Sequence, residues 1–253
     1  MRTRYSVWMD GRGLDSIDPA ITILDIQQQA PKLDAKTAAM GMGDGTRFLR
    51  VNRRSLSISV RFAIRELDTV RRADICRRVA AWAKEGYLST SDRPGQRLHV
   101  VCSRVPVVES ALKWTQTLQM LFTAYDVPWW EAETPSRASI TGASGTVLLY
   151  SPGDTESPLD ADVTVHGAVS SMHIATGGKE FAFAGLAMQA GDRMTISHDA
   201  RGILSIRHGS DSVLHKRTAD SADELMLSPG SNAITISADA SCTAAFSTRG
   251  RFA

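Results

Sequence analysis

Catalysis needs side chains of the right type at workable spacing, and this sequence offers few. Glu131 and Glu133 are the nearest approach to a carboxylate pair. Two residues apart on a strand, they would point the same way. Paired carboxylates hydrolyse glycosides at defined separations. Solvated charges at a strand end are the plainer reading, so a wall hydrolase stands third among the functions considered. His166, His173, His198, His208 and His215 fall in one half of the chain, but no pair shows the His-x3-His spacing of a zinc helix. Gly142-Ala-Ser-Gly145 lacks the spacing of a nucleophile elbow. Gly41-Met-Gly-Asp-Gly45 lacks the lysine of a phosphate loop and reads as a flexible loop. Cys76, Cys102 and Cys242 are too few and too scattered for a disulfide framework or a zinc site, and read as reduced thiols. No cofactor and no metal is implied, and the expectation is a protein that is not an enzyme.

Residues suited to binding stand out more. Between 47 and 78 lie ten arginines against Glu66, Asp68 and Asp74, a local net of +7. Without interleaved aromatic stacking partners or a recognition helix, this stretch does not read as a nucleic-acid site. The planar guanidinium pairs bidentately with carboxylates, which suits a subunit-facing surface. Trp129 and Trp130 are adjacent, so on a strand one faces the core and one faces out. An exposed tryptophan can stack on a sugar or fill a partner's pocket. The candidate interface is therefore Arg47, Arg50, Arg53, Arg54, Arg61, Arg65, Trp129 and Trp130.

These residues must be positioned by a scaffold of 253 residues, 43% hydrophobic and 22% charged, ordinary values for a globular chain. No apolar run approaches the ~18 residues of a spanning helix. The basic N-terminus has no apolar region of the kind a signal peptide carries, which leads to an expectation of synthesis and assembly in a cytoplasm. The net charge of +2 hides an asymmetry: residues 1–133 hold 20 Lys+Arg against 15 Asp+Glu, and residues 134–253 hold 9 against 12. All five tryptophans lie in the first part. Composition shifts at the polar, proline-containing Glu133-Thr-Pro-Ser136, which predicts domains over 1–135 and 136–253.

In the first, Asp10-Gly11 signals a hairpin after Tyr5–Met9. A strand over Ile21–Ile26 slips its alternation at Leu24, as a bulge would. Residues 30–46 read as a mobile loop. Leu56, Ile58, Val60, Phe62 and Ile64 alternate strictly and predict one buried face. A helix is predicted over 68–85, with Asp68 as N-cap, Gly86 as stop and an apolar stripe of Ile75, Val79 and Trp82; Arg71, Arg72, Asp74, Arg78 and Lys84 are placed on other faces. Strands are expected at 98–102, 105–108 and 112–124. The fold class is mainly β: an N-terminal barrel or sandwich with one packed helix, then a C-terminal antiparallel sandwich of about nine short strands divided by Gly177-Gly178, Gly191-Asp192, Asp199–Gly202, Gly209–Asp211 and Pro229-Gly230.

In that order and spacing the chain resembles the distal tail protein, or baseplate hub, of long-tailed non-contractile bacteriophages. The resemblance rests on the strand Arg53-Arg-Ser-Leu-Ser-Ile-Ser-Val-Arg-Phe62, the helix with Trp82, and Tyr87-Leu-Ser-Thr-Ser-Asp-Arg-Pro-Gly95 with the strand through Val101. It continues in the β segments ending in Leu227-Ser-Pro-Gly-Ser-Asn-Ala-Ile234 and in Arg251-Phe252. It implies a galectin-like C-terminal sandwich and a homohexameric ring of N-terminal domains at the tail tip of a virion or prophage. The implied partners are the tail-tube protein, a tail-tip protein and, in some relatives, receptor-binding proteins; no membrane and no specific nucleic acid is among them. No site residues carry over. The alternative function is a carbohydrate-binding adhesion module contacting the host surface.

Overall fold

A computed structural model of the chain describes residues 5–39, 46–105 and 115–253. The chain forms two compact units, Met1–Trp130 and Glu131–Ala253.

The first unit is built on an antiparallel sheet. Its strands are β1 (Val7–Met9), β2 (Arg12–Gly13), β3 (Ile21–Gln28), β4 (Lys32–Ala39), β5 (Thr46–Arg65), β6 (Gly86–Thr90), β7 (Gln96–Arg104) and β8 (Thr115–Ala124). Hydrogen bonding orders them β2-β1-β6-β7-β8-β5-β3, with β4 on the first half of β5. The β1–β2 turn carries Asp10 and Gly11 at φ 49° and 77°, the left-handed pair that a two-residue hairpin requires. The bulge at Leu24 is present: register shifts between Ile23 and Asp25, and Leu24 is left exposed. Leu56, Ile58, Val60, Phe62 and Ile64 are buried, opposite Leu118, Met120, Phe122 and Ala124 of β8. The rest of the expected strand 112–124, and most of 105–108, lie outside the described residues.

One helix, α1 (Thr69–Trp82), covers this apolar face. The Asp68 carboxylate accepts from the Val70 and Arg71 amides at 2.9 and 3.4 Å, capping it as expected. Ile75, Cys76, Val79 and Trp82 are buried, and Trp82 meets Phe122 edge-on at 6.1 Å. Two expectations need correction. The helix ends at Trp82, capped through Ala83, so Gly86 is not its stop. Gly86 opens β6, where any Cβ would collide with the Asp10 carboxylate that accepts from the Tyr87 amide. Arg72 is not on a polar face. It is 1% exposed, on the stripe of Ile75 and Val79, with Nε and Nη2 donating to the Glu66 carbonyl at 3.1 and 2.6 Å.

The mobile loop expected over 30–46 is also corrected. Residues 32–39 form β4 and pair with residues 46–55 of β5 in a ribbon. Residues 40–45, including the glycine-rich stretch, lie outside the described residues.

The next strand along the chain is β9 (Trp130–Ala132). The second unit then contains β10 (Ser136–Ser151), β11 (Ser157–Pro158), β12 (Asp160–Val165), β13 (Val169–Thr176), β14 (Lys179–Met188), β15 (Arg193–His198), β16 (Leu204–His208), β17 (Asp211–Ser212), β18 (Met226–Leu227), β19 (Gly230–Thr248) and β20 (Arg251–Phe252). Two long strands, β10 and β19, run antiparallel along the unit, with β10 shifting register between Gly142 and Ser144. The first half of β19 also pairs with β13, and β13 with β14; the second half pairs with β12, followed by β15, β16 and β17. This is a sandwich whose strands share one long hairpin. Its core holds Leu149, Val163, Met172, Phe181, Phe183, Ile196, Ile234 and Phe246. Segments read separately at 233–237 and 243–246 are one strand, Gly230–Thr248, whose pairing with β10 is interrupted between Ser237 and Cys242.

Candidate functional site

The ten arginines divide by element. Those on the helix pair locally. Arg71 lies 3.2 Å from Glu66, Arg77 2.6 Å from Asp74, and Arg78 bridges Asp74 at 3.1 Å and Asp18 at 2.7 Å. Asp18 is itself buried, which raises its pKa. The Ala20 amide, Arg78 and Arg71 outweigh that and hold its carboxyl below the ordinary 3.8.

The strand arginines are differently placed. Arg54 donates to Asp34 at 2.8 Å. Arg53 lies over the Trp129 ring, 3.8 Å from its centroid, and donates to the Pro128 carbonyl at 3.3 Å. Arg47, Arg61 and Arg65 are exposed, and among the described residues no carboxylate pairs with them. Arg50 lies on β5 between them. The β4–β5 ribbon also exposes Leu33, Phe48 and Leu49, which are 65%, 60% and 56% accessible. Sequence reading missed this combination, since a ribbon without a core face shows no buried periodicity to find.

The two tryptophans separate. Trp130 is 1% exposed, with its indole N–H donating to Gln28 at 3.0 Å and the Arg93 guanidinium 5.2 Å from its ring. Trp129 is half-buried beneath Arg53. The guanidinium thus occupies a ring face that a sugar would use. Glu131 and Glu133 are not brought together as a pair. Glu131 lies 3.8 Å from Arg251, whose guanidinium burial pulls below its ordinary value while Glu131 opposes that. Glu133 is exposed, and its carbonyl accepts from Arg249.

The histidines of the second unit disperse. His173 is near Glu180 at 3.6 Å, His198 near Asp160 at 2.9 Å and His208 near Asp192 at 3.0 Å. His166 shares a hydrogen bond with Thr243 at 2.8 Å. Among the described residues no three His, Cys, Asp or Glu side chains converge as metal ligands. All three thiols are held above their ordinary pKa by burial, which disfavours the reactive thiolate. An open cleft of about 530 Å³ lies on the second unit, lined by Arg137, Ser139, Asp162, Ala245 and Ser247 among others. Asp162 there is paired with Arg193 at 2.8 Å. Among the described residues no helix is long and apolar enough to cross a membrane.

No protein-family model matches the sequence, and no curated protein matches it. Solved structures do match the fold. The Dit protein of phage SPP1, described as a paradigm of the hub adsorption apparatus in phages infecting Gram-positive bacteria, superposes with a TM-score of 0.70 at 12% identity, over 98% of this chain and 99% of that one. A chain of the phage P2 baseplate in its activated conformation with Ca gives 0.54 at 9% identity, over 99% and 98%. The Sr form gives 0.51 at 8% identity, over 97% and 97%. At such identities the likeness is one of fold, and it spans both units. The chain therefore has, nearly end to end, the two-part β fold of a phage hub adsorption protein, the fold that the sequence resemblance implied.

Proposed function

We propose that the chain is a structural hub of a phage or prophage tail tip. Six copies form a ring through their N-terminal domains, residues 1–135. The ring joins the last tail-tube ring on one side and the tail-tip protein on the other. The C-terminal galectin-like domains, residues 136–253, project outward and can anchor receptor-binding proteins. The particle is assembled in the host cytoplasm, and the role is structural rather than catalytic.

The observation that carries this reading is the fold match to the SPP1 hub protein over 98% of this chain and 99% of that one. The surface supports it. A ring needs a heterologous interface that closes on itself. The exposed β4–β5 ribbon, with Leu33, Phe48, Leu49 and Arg47, offers apolar and cationic groups together, the mixture that interfaces bury. Arg61 and Arg65 extend the charge along β5.

Mass photometry of the purified chain tests the reading. A species of six copies, or a multiple of six, is expected, and it should bind the tail-tip protein of the same phage or prophage. A chain that stays monomeric at high concentration and does not assemble on that partner overturns it.

A further inference from the structure

We infer that the outer edge of β10 pairs antiparallel with the same edge of a second copy of this chain, centred on Leu148. The inference goes beyond the proposed ring and does not depend on it.

A sheet edge presents unpaired amides and carbonyls that template pairing with another chain, and most proteins block such edges. The second unit blocks two of its own. Along β14, Thr218 N–H donates to Ala182 O at 2.9 Å and Ala222 N–H to Glu180 O at 2.8 Å, while Arg217 bridges to Phe183, so the 217–222 segment covers that edge. The edge at β17 is two residues long and carries Asp211. β10 is different. It runs 16 residues, pairs with β19 along one side, and has no described backbone partner along the other.

Nothing in its sequence defends it. From Ala138 to Gly153 there is no charged residue and, before Pro152, no proline. Leu148 and Tyr150 are 67% and 61% exposed on the outer face, while Val147 and Leu149 pack on the core side. β19 behind this half, Gly230–Ser237, is also uncharged.

Those features select the occupant. Like charges set directly opposite one another destabilise a strand pair. Here self-approach brings no charges together. An acidic or basic strand would find no counter-charge. A two-fold through Leu148 sets it opposite the partner's Leu148 and sets Thr146 opposite the partner's Tyr150. The four large side chains then shield one another from water on one face. A stable dimer buries about 800 Å² per partner. One strand pair supplies less, so the contact is reversible and strengthened when chains are already gathered.

Cysteine cross-linking of the full chain tests this. Leu148→Cys under mild oxidation should give a covalent dimer at several times the yield of Ile203→Cys, an equally exposed control. Adding Thr146→Lys to Leu148→Cys should remove that excess. In parallel, Leu148→Lys should abolish the concentration-dependent doubling of mass while any six-copy species persists. Equal cross-linking at 148 and 203, or doubling unaffected by Leu148→Lys, overturns the inference. Loss of the six-copy species in the parent itself speaks against the ring alone.

Discussion

Buried arginine is costly unless its guanidinium is satisfied, and Arg72 shows the condition met. Its head donates twice to the Glu66 carbonyl just before the helix, so the side chain ties the β5–α1 connection to the helix it opens. Arg72→Ala removes those bonds and leaves a cavity. It should cost about 2–4 kcal/mol, read as a lower urea midpoint. Arg77, 80% exposed and paired with Asp74, should change stability by about 0.5 kcal/mol or less when replaced by alanine. Asp18 gives a pH test. Its folded pKa lies below its unfolded value, so its contribution is present above about pH 4 and is lost as pH falls through the lower folded value. Asp18→Asn should therefore destabilise fully at about pH 6, and the gap to the parent should close below about pH 4. A gap that stays constant across that range would rule out the Arg78–Asp18 contact as its origin.

At the level of elements, what the sequence disclosed depended on whether a segment has a core to face. Leu56–Ile64 could be read because five alternate residues meet β8 and the helix. Asp68 was legible as a cap because its role is local. Arg72 was not: its charge placed it on a polar face, and nothing in the sequence showed that Glu66 O would receive it. β4 was not legible either, since residues 32–38 bury neither face and the strand pairs with β5. Of the candidate interface, the arginine cluster was visible, whereas the exposed Leu33, Phe48 and Leu49 became meaningful only once the ribbon existed. A two-stranded ribbon is marginal in water by itself. Hydrogen exchange should show amides of 32–39 and 46–53 exchanging at least tenfold faster than those of 56–64 in the dissociated chain. On assembly the ribbon amides should slow. An unchanged ribbon in the assembled form would remove it from the proposed ring interface.

For the whole molecule, near neutrality is the sum of unlike parts: a net of +5 over residues 1–133 and −3 over 134–253. The excess positive charge is not spread evenly. On the helix it is met by Glu66, Asp74 and Asp18; on β5, among the described residues, no carboxylate meets Arg47, Arg61 or Arg65. In the proposed ring those cations need carboxylates from the next subunit, or the assembly stores repulsion. Complementary pairing of this kind is screened by salt, with a Debye length of about 10 Å at 0.1 M. Assembly of the parent should therefore weaken several-fold between roughly 0.05 and 0.5 M salt. Arg61→Glu with Arg65→Glu should weaken it further at low salt and flatten the salt dependence, while the urea midpoint of the dissociated chain moves little because both side chains are exposed. Sedimentation velocity across a salt series measures both. If assembly is indifferent to salt and to the double substitution, the proposed ring closes through the apolar ribbon alone, and the strand arginines face some other partner.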